Sequence, residues 1–116
     1  MRAYELMIIL DGDTSDEVVD EILGRVGDGV TAVEGEVATT DKWGKRRFAY
    51  PIDHKTEGVY VVLEIVTSGG DLSAVERLLR LADPVVRHKL IRLPDHEADR
   101  RGLFGRAAAG STATQE

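Results

Sequence analysis

The chain contains two β-rich apolar runs, and each leads through a polar turn into an amphipathic helical pattern. The first run is Leu6-Met7-Ile8-Ile9-Leu10, closed by Asp11-Gly12-Asp13. Its unbroken apolar character predicts a strand covered on both faces. Thr14-Ser15-Asp16-Glu17 follows as a capping box, in which the Thr14 hydroxyl accepts from the Glu17 amide. Val18, Val19, Ile22, Leu23 and Val26 then recur at helical spacing, so a helix is predicted to about Arg25 or Val26, ended by Gly27 and Gly29. The second run, Val59 to Val66, is the strongest strand signal and is rich in β-branched residues. Ser68-Gly69-Gly70 breaks it, Asp71 is the expected helix cap, and Leu72, Val75, Leu78, Leu79 and Ala82 mark a second helix. That helix must stop at Asp83-Pro84, because the residue before proline disfavours helix.

Between these units, 30–37 reads as a turn into a long strand of low apolar content that continues to Ile52. Pro51 fits an edge position, since proline cannot donate to a ladder. A turn is predicted over 53–58, and Val85, Val86, Leu90, Ile91 and Leu93 mark a last strand. The order is strand, helix, strand, strand, helix, strand. A right-handed crossover places the first strand beside the third, and the hairpin places the second beside the third. The expected fold is therefore α+β, a ferredoxin-like βαββαβ sandwich with a four-stranded antiparallel sheet and two helices on one face. If Leu6, Ile8 and Leu10 face the helices, Met7 and Ile9 line the opposite face, with Tyr60 and Val62 from the third strand. An apolar open face of this kind implies a binding partner.

A chain of 116 residues holds one such core. It is expected to occupy residues 1–94. From Asp95 the pattern stops, and 95–116 is expected to be a mobile tail with Leu103-Phe104 as its one apolar pair. There is no cysteine, which excludes disulfides, thiolate metal sites and a thiol nucleophile. No apolar run approaches the roughly 20 residues that span a bilayer, and no signal core follows the first residues. A cytoplasmic protein without a membrane partner is expected.

The net charge of -6 is unevenly spread. Residues 1–38 carry ten acids against Arg2 and Arg25, whereas 39–116 carry eleven acids and thirteen basic residues. Lys42, Lys45, Arg46 and Arg47 stand in six residues with no acid, and Arg87, Lys89 and Arg92 form a second cluster. One surface suited to an anionic partner and another that repels it follow from this pattern. A solvated edge strand is the plainer reading of four basic residues, and charge alone does not choose.

Catalytic and metal chemistry find no constellation. Asp11-Gly12-Asp13-Thr14-Ser15-Asp16 opens like a calcium loop, but Asp16 stands at the glycine position and Ile22 at the bidentate glutamate. Gly44-Lys45 lacks the upstream glycine of a phosphate loop, since Thr39 is there. His54, His88 and His96 show no ligand spacing and read as solvated or structural. No enzyme, cofactor, metal or small-molecule substrate is expected. A dimeric ferredoxin-like enzyme would need a histidine or acid on the open face, where Glu64 is the one acid expected. A small-molecule sensor on the same fold stays open.

Lys42-Trp43-Gly44-Lys45-Arg46-Arg47-Phe48-Ala49-Tyr50-Pro51-Ile52 joins a basic block to an apolar alternation. On an edge strand, Phe48, Tyr50 and Ile52 would pack inward while the guanidinium groups reach phosphates outside. This segment, together with Met1-Arg2-Ala3-Tyr4-Glu5, Glu57-Gly58-Val59-Tyr60 and Arg80-Leu81-Ala82-Asp83-Pro84-Val85-Val86-Arg87, resembles the bacterial small-ribosomal-subunit protein S-six family over about residues 1–93. Phe48 replaces that family's usual leucine, and Asp53 stands where it mostly has a basic or small residue. The resemblance implies a non-catalytic ribosomal constituent. Such a protein binds the central domain of small-subunit ribosomal RNA together with the basic protein S-eighteen, as a heterodimer. It implies Arg2, Arg46 and Arg47 as RNA contacts, then Arg87 and Arg92; the charge pattern adds Lys42 and Lys45. The open face (Met7, Ile9, Tyr60, Val62) and Trp43 are assigned to the protein partner.

Overall fold

The computed structural model describes residues 1–52 and 54–104. Its elements are β1 (Arg2–Asp11), α1 (Asp16–Ala32), β2 (Gly35–Ile52), β3 (Lys55–Thr67), α2 (Ser73–Leu81), β4 (Val85–Leu93) and α3 (Asp95–Arg100). The sheet order is β2-β3-β1-β4, and the three pairings are all antiparallel. This is the ferredoxin-like arrangement expected from the sequence, with β2 and β4 as its edges.

The core follows the period-two count. Leu6, Ile8 and Leu10 of β1 and Val61, Leu63 and Ile65 of β3 pack against Val19, Ile22, Val26 and Val30 of α1 and Val75 and Leu79 of α2. Each of these side chains is nearly or wholly removed from solvent. At about 25 cal/mol per Å² of apolar surface, burial on this scale is the main stabilising term.

Three local expectations are corrected. The cap of α1 is Ser15 rather than Thr14: Ser15 Oγ accepts from the Val18 amide at 3.3 Å. The helix continues past Gly27 and Gly29 to Ala32, because Val26 and Val30 bury fully and outweigh the cost of about 1 kcal/mol per interior glycine. A Cβ at Gly29 would lie 2.9 Å from Val75 Cγ2, so glycine there permits the close approach of α1 to α2. Asp71 does not cap α2, whose N-cap is Leu72; its Oδ1 instead accepts from the Ser73 amide at 3.1 Å and the Ser73 hydroxyl at 2.8 Å.

The largest departure is at the C-terminal end. Residues 95–104 do not form a loose tail. After Pro94 the chain enters α3, and Ala98 and Leu103 bury completely in a second cluster with Ala3, Val66 and Leu93. Ala3 and Val66 oppose each other on β1 and β3, on the sheet face away from α1 and α2. The segment therefore covers one end of the open face. A six-residue helix has little intrinsic stability, and tertiary packing holds this one. The rest of the expected tail, 105–116, and Asp53 lie outside the described residues.

Candidate functional site

β2 is 18 residues long, and its pairing with β3 is interrupted between Lys42 and Gly44 and again between Arg47 and Ile52. The first interruption is a bulge: Gly44, at φ 85°, takes the left-handed conformation that glycine accepts without strain. Trp43 thereby turns onto the open face. Its ring stacks on Tyr60 with centroids 6.1 Å apart and planes 9° apart, and its Nε1 donates to Asp41 Oδ2 at 3.0 Å. Phe48 meets the edge of the same Tyr60 ring at 6.2 Å. Arg46 Cζ lies 5.6 Å from the Trp43 ring centroid, on the geometry of a cation–π contact. Bulge, aromatic stack and guanidinium form one contiguous platform.

Phe48 is buried, but Tyr50 does not pack inward as expected; it is 68% exposed. The β2–β3 register is interrupted between Arg47 and Ile52, and within that stretch Phe48 reaches Tyr60 on the open face while Tyr50 stays in solvent.

The basic residues expected to form a site are all exposed, yet the sheet distributes them. On the open face stand Arg46, opposite Gly58 on β3, and Arg87 and Lys89, opposite Ile9 and Met7 on β1. Because β2 and β4 are opposite edges, three strand spacings or roughly 14 Å separate the two groups. Met7, Ile9, Tyr60 and Val62 fill the gap. Ile9 is buried and the other three are half-buried, so the surface presented there is narrow and apolar.

Register places Lys42, Lys45, Arg47, Arg92 and Arg2 on the other side, opposite Val61, Val59, Glu57, Tyr4 and Thr67. Lys42 Nζ forms an ion pair with Asp20 of α1, which draws it toward the helix layer. Arg2 lies near Asp71, whose carboxyl is held below its ordinary value first by the hydrogen bonds from Ser73 and, more weakly, by Arg2. Lys45 and Arg47 therefore leave β2 on the face opposite Arg46, while Lys42 pairs with Asp20 and Arg2 lies near Asp71.

Sequence reasoning missed Glu5. By the same count that placed Met7 and Ile9 outward, Glu5 shares their face, directly opposite Glu64. Two carboxylates side by side repel. Arg101 resolves the conflict: its Nη1 donates to Glu5 Oε1 at 3.0 Å and to Glu64 Oε2 at 2.9 Å. Thr39 Oγ1 orients Glu64 from the other side at 2.7 Å. Arg101 Nε donates to Glu97 Oε2 at 2.7 Å, and Arg100 Nη2 reaches both Glu97 oxygens at 2.6 and 2.8 Å. Arg100 and then Arg101 hold the Glu97 carboxyl down to about 2, and the same cluster, Glu97 foremost, raises Arg101 above the ordinary arginine value.

His88 Nε2 lies 3.3 Å from Glu76 Oε1 of α2, a structural contact. Among the described residues no group of three or more histidine, cysteine, aspartate or glutamate side chains could hold a metal ion. Nor is any helix long and apolar enough to cross a membrane.

The family model described as "Ribosomal protein S6" matches residues 3–92. The chain belongs to the ribosomal protein S6 family. The "Small ribosomal subunit protein bS6" of Corynebacterium glutamicum is 44% identical over 93 residues, covering 80% of this chain and 98% of that protein. The protein of the same description from Salinispora arenicola is 41% identical over 92 residues, covering 79% and 96%. In structure, the "30S ribosomal protein S6" of Thermotoga maritima superposes with a TM-score of 0.74 at 26% identity, covering 89% of this chain and 97% of that one. This S6-family chain is thus a structural protein of the small ribosomal subunit, not an enzyme. The family match ends at residue 92, before α3 begins at Asp95.

Proposed function

We propose that this S6-family chain binds the central domain of small-subunit ribosomal RNA on its basic edge strand, jointly with the basic protein S-eighteen. The observation that carries the RNA half is Arg46. Its guanidinium lies over Trp43, which itself contacts Tyr60 and Asp41, and the exposed Lys45 and Arg47 flank it in sequence on the opposite face of the same edge strand. A pre-organised guanidinium loses little side-chain entropy on meeting a phosphate and can engage it with two parallel N–H donors. Arg87 and Arg92 on β4 extend the basic surface to the opposite edge, and Arg2 contributes from the start of β1. The acidic exposed side of α1 (Asp16, Glu17, Asp20, Glu21) turns away from RNA, which gives the charge asymmetry a physical purpose.

Few phosphate contacts are available, so RNA affinity of the chain alone is weak and falls steeply with salt. A basic partner docked on the open face, against Met7, Ile9, Tyr60 and Val62, supplies further contacts. The test is Arg46→Ala with Arg47→Ala, two exposed positions. The variant should keep its thermal midpoint and incorporate poorly into small subunits, measured by co-sedimentation at moderate salt. Normal incorporation would remove the RNA assignment.

A further inference from the structure

The chain has three tyrosines, and the fold uses two of them. Tyr4 is buried in the core, and Tyr60 carries the Trp43 and Phe48 rings on the open face. Tyr50 is 68% exposed, and among the described residues it makes no ring contact and no hydrogen bond. A single apolar ring in water is ordinary on a protein surface. Three further features of this position point to a ligand.

The first is charge. Residues 42–52 hold four basic side chains and no acid, and Arg47 stands three residues before Tyr50, at most roughly 10 Å along the backbone. β3 adds Lys55 and Glu57 opposite this stretch, which offset one another. The second is place. β1 ends at the Asp11 and Gly58 pair, and Arg46 is the β2 residue opposite Gly58. The chain beyond Arg46 is therefore a two-stranded ribbon that reaches past the rest of the sheet. The third is backbone restriction. Pro51 confines the preceding residue to extended conformations, so the ring of Tyr50 is presented from a backbone with little freedom to lose.

We propose that Tyr50 is a stacking contact for an unpaired RNA base, beside phosphates that the neighbouring arginines engage. This deepens the RNA reading above and rests on it. Arginines on phosphates position the backbone and carry no base information. A ring adds a different selection. In a duplex each base face is covered by its neighbours, whereas bases in loops, bulges and ends can splay out onto an aromatic side chain. Arg46 and Arg47 thus supply attraction to any RNA, and Tyr50 favours RNA with an unpaired base within reach of them. The same basic flank disfavours a basic protein segment at this ring, because like charges would face each other.

The test compares Tyr50→Ala, Tyr50→Leu and Tyr50→Phe in the full chain. The probe is a transcript of the ribosomal central domain, titrated with S-eighteen present. Tyr50→Ala and Tyr50→Leu should each lose about fivefold or more in RNA affinity. Tyr50→Phe should keep it, because stacking needs the ring and not the hydroxyl. The slope of log affinity against log salt should not change, since no phosphate contact is lost, whereas Arg46→Ala with Arg47→Ala should flatten it. On a fully paired RNA duplex at low salt, Tyr50→Ala should bind as the unsubstituted chain does. Its affinity for S-eighteen without RNA should also match. Unchanged affinity of Tyr50→Ala for the transcript, a flattened salt slope or an equal loss on the duplex would overturn the proposal. Weakened S-eighteen binding would overturn it too, by giving the ring to the protein partner. Normal RNA binding by the Arg46 and Arg47 variant would sink the RNA reading itself. Loss in that variant without loss in Tyr50→Ala would sink the stacking contact alone.

Discussion

Arg101 and Glu64 lie 37 residues apart in sequence, and the Arg101 Nη1 atom donates to Glu64 Oε2 at 2.9 Å across the open face of the sheet. The same nitrogen reaches Glu5 on the neighbouring strand. One cation therefore bridges a like-charge pair that strand register forces together, and it fastens the C-terminal segment as it does so.

Arg101→Ala should lower stability by about 1 kcal/mol, a modest figure because the ion pairs are partly solvated and screened. In a domain of this size that corresponds to a fall of roughly 4–8 °C in thermal midpoint. Arg101→Glu should cost more, since a third carboxylate would join Glu5 and Glu64. Calorimetry on the two variants orders the effects, and hydrogen exchange should show 95–104 opening before the sheet.

Acid should loosen the same segment. Glu97 is held down to about 2 by Arg100 and then Arg101. A carboxylate with a depressed folded value stabilises the fold above its unfolded value and loses that contribution as pH falls through the folded one. The docking of α3 should therefore weaken between about pH 4.5 and 2, and Glu97→Gln should remove this pH dependence. Amide exchange of Ala98 across that range measures it.

Gly58 stands where Phe48 and β1 converge. A Cβ there would lie 2.6 Å from Phe48 Cζ and 2.8 Å from Ile9 Cγ2. Gly58→Ala should destabilise by about 1–3 kcal/mol through overpacking. Denaturant unfolding reads the loss, and Phe48→Leu, which shortens the opposing ring, should recover part of it.

Trp43 is the single tryptophan of the chain, which makes the aromatic platform directly observable. Arg46→Ala removes the guanidinium from beside its ring and should shift its emission, while Arg47→Ala should leave it unchanged. RNA that engages Arg46 should shift the emission of the unsubstituted chain and lose that effect in Arg46→Ala. Steady-state fluorescence titration at moderate salt is the measurement.

Much of the site was legible because strands have a period of two. Counting from Leu6 placed Met7, Ile9, Tyr60 and Val62 on the open face correctly, and the low apolar content ending in Pro51 marked β2 as an edge. The same count applied one step further would have found Glu5. Tyr50 could not be found exposed, since apolar alternation states which residues share a face but not whether anything lies opposite. Nor could the division of the basic cluster be seen: a bulge at Trp43-Gly44 shifts the register, and Asp20 draws Lys42 to the helix layer.

By itself the sequence determined the order of elements, the sheet topology and the two helical faces, because those follow from local periodicity, turn residues and the handedness of crossovers. It also held the signature that marks the family. Tertiary structure alone decided how far α1 runs through its glycines, which basic residues remain free, and what becomes of the segment after Pro94. Each of these depends on a surface assembled from residues distant in sequence. Helix α1 extends because Val26 and Val30 find a core, and the C-terminal segment docks because Glu5 and Glu64, brought side by side by strand pairing, require the cation that Arg101 provides.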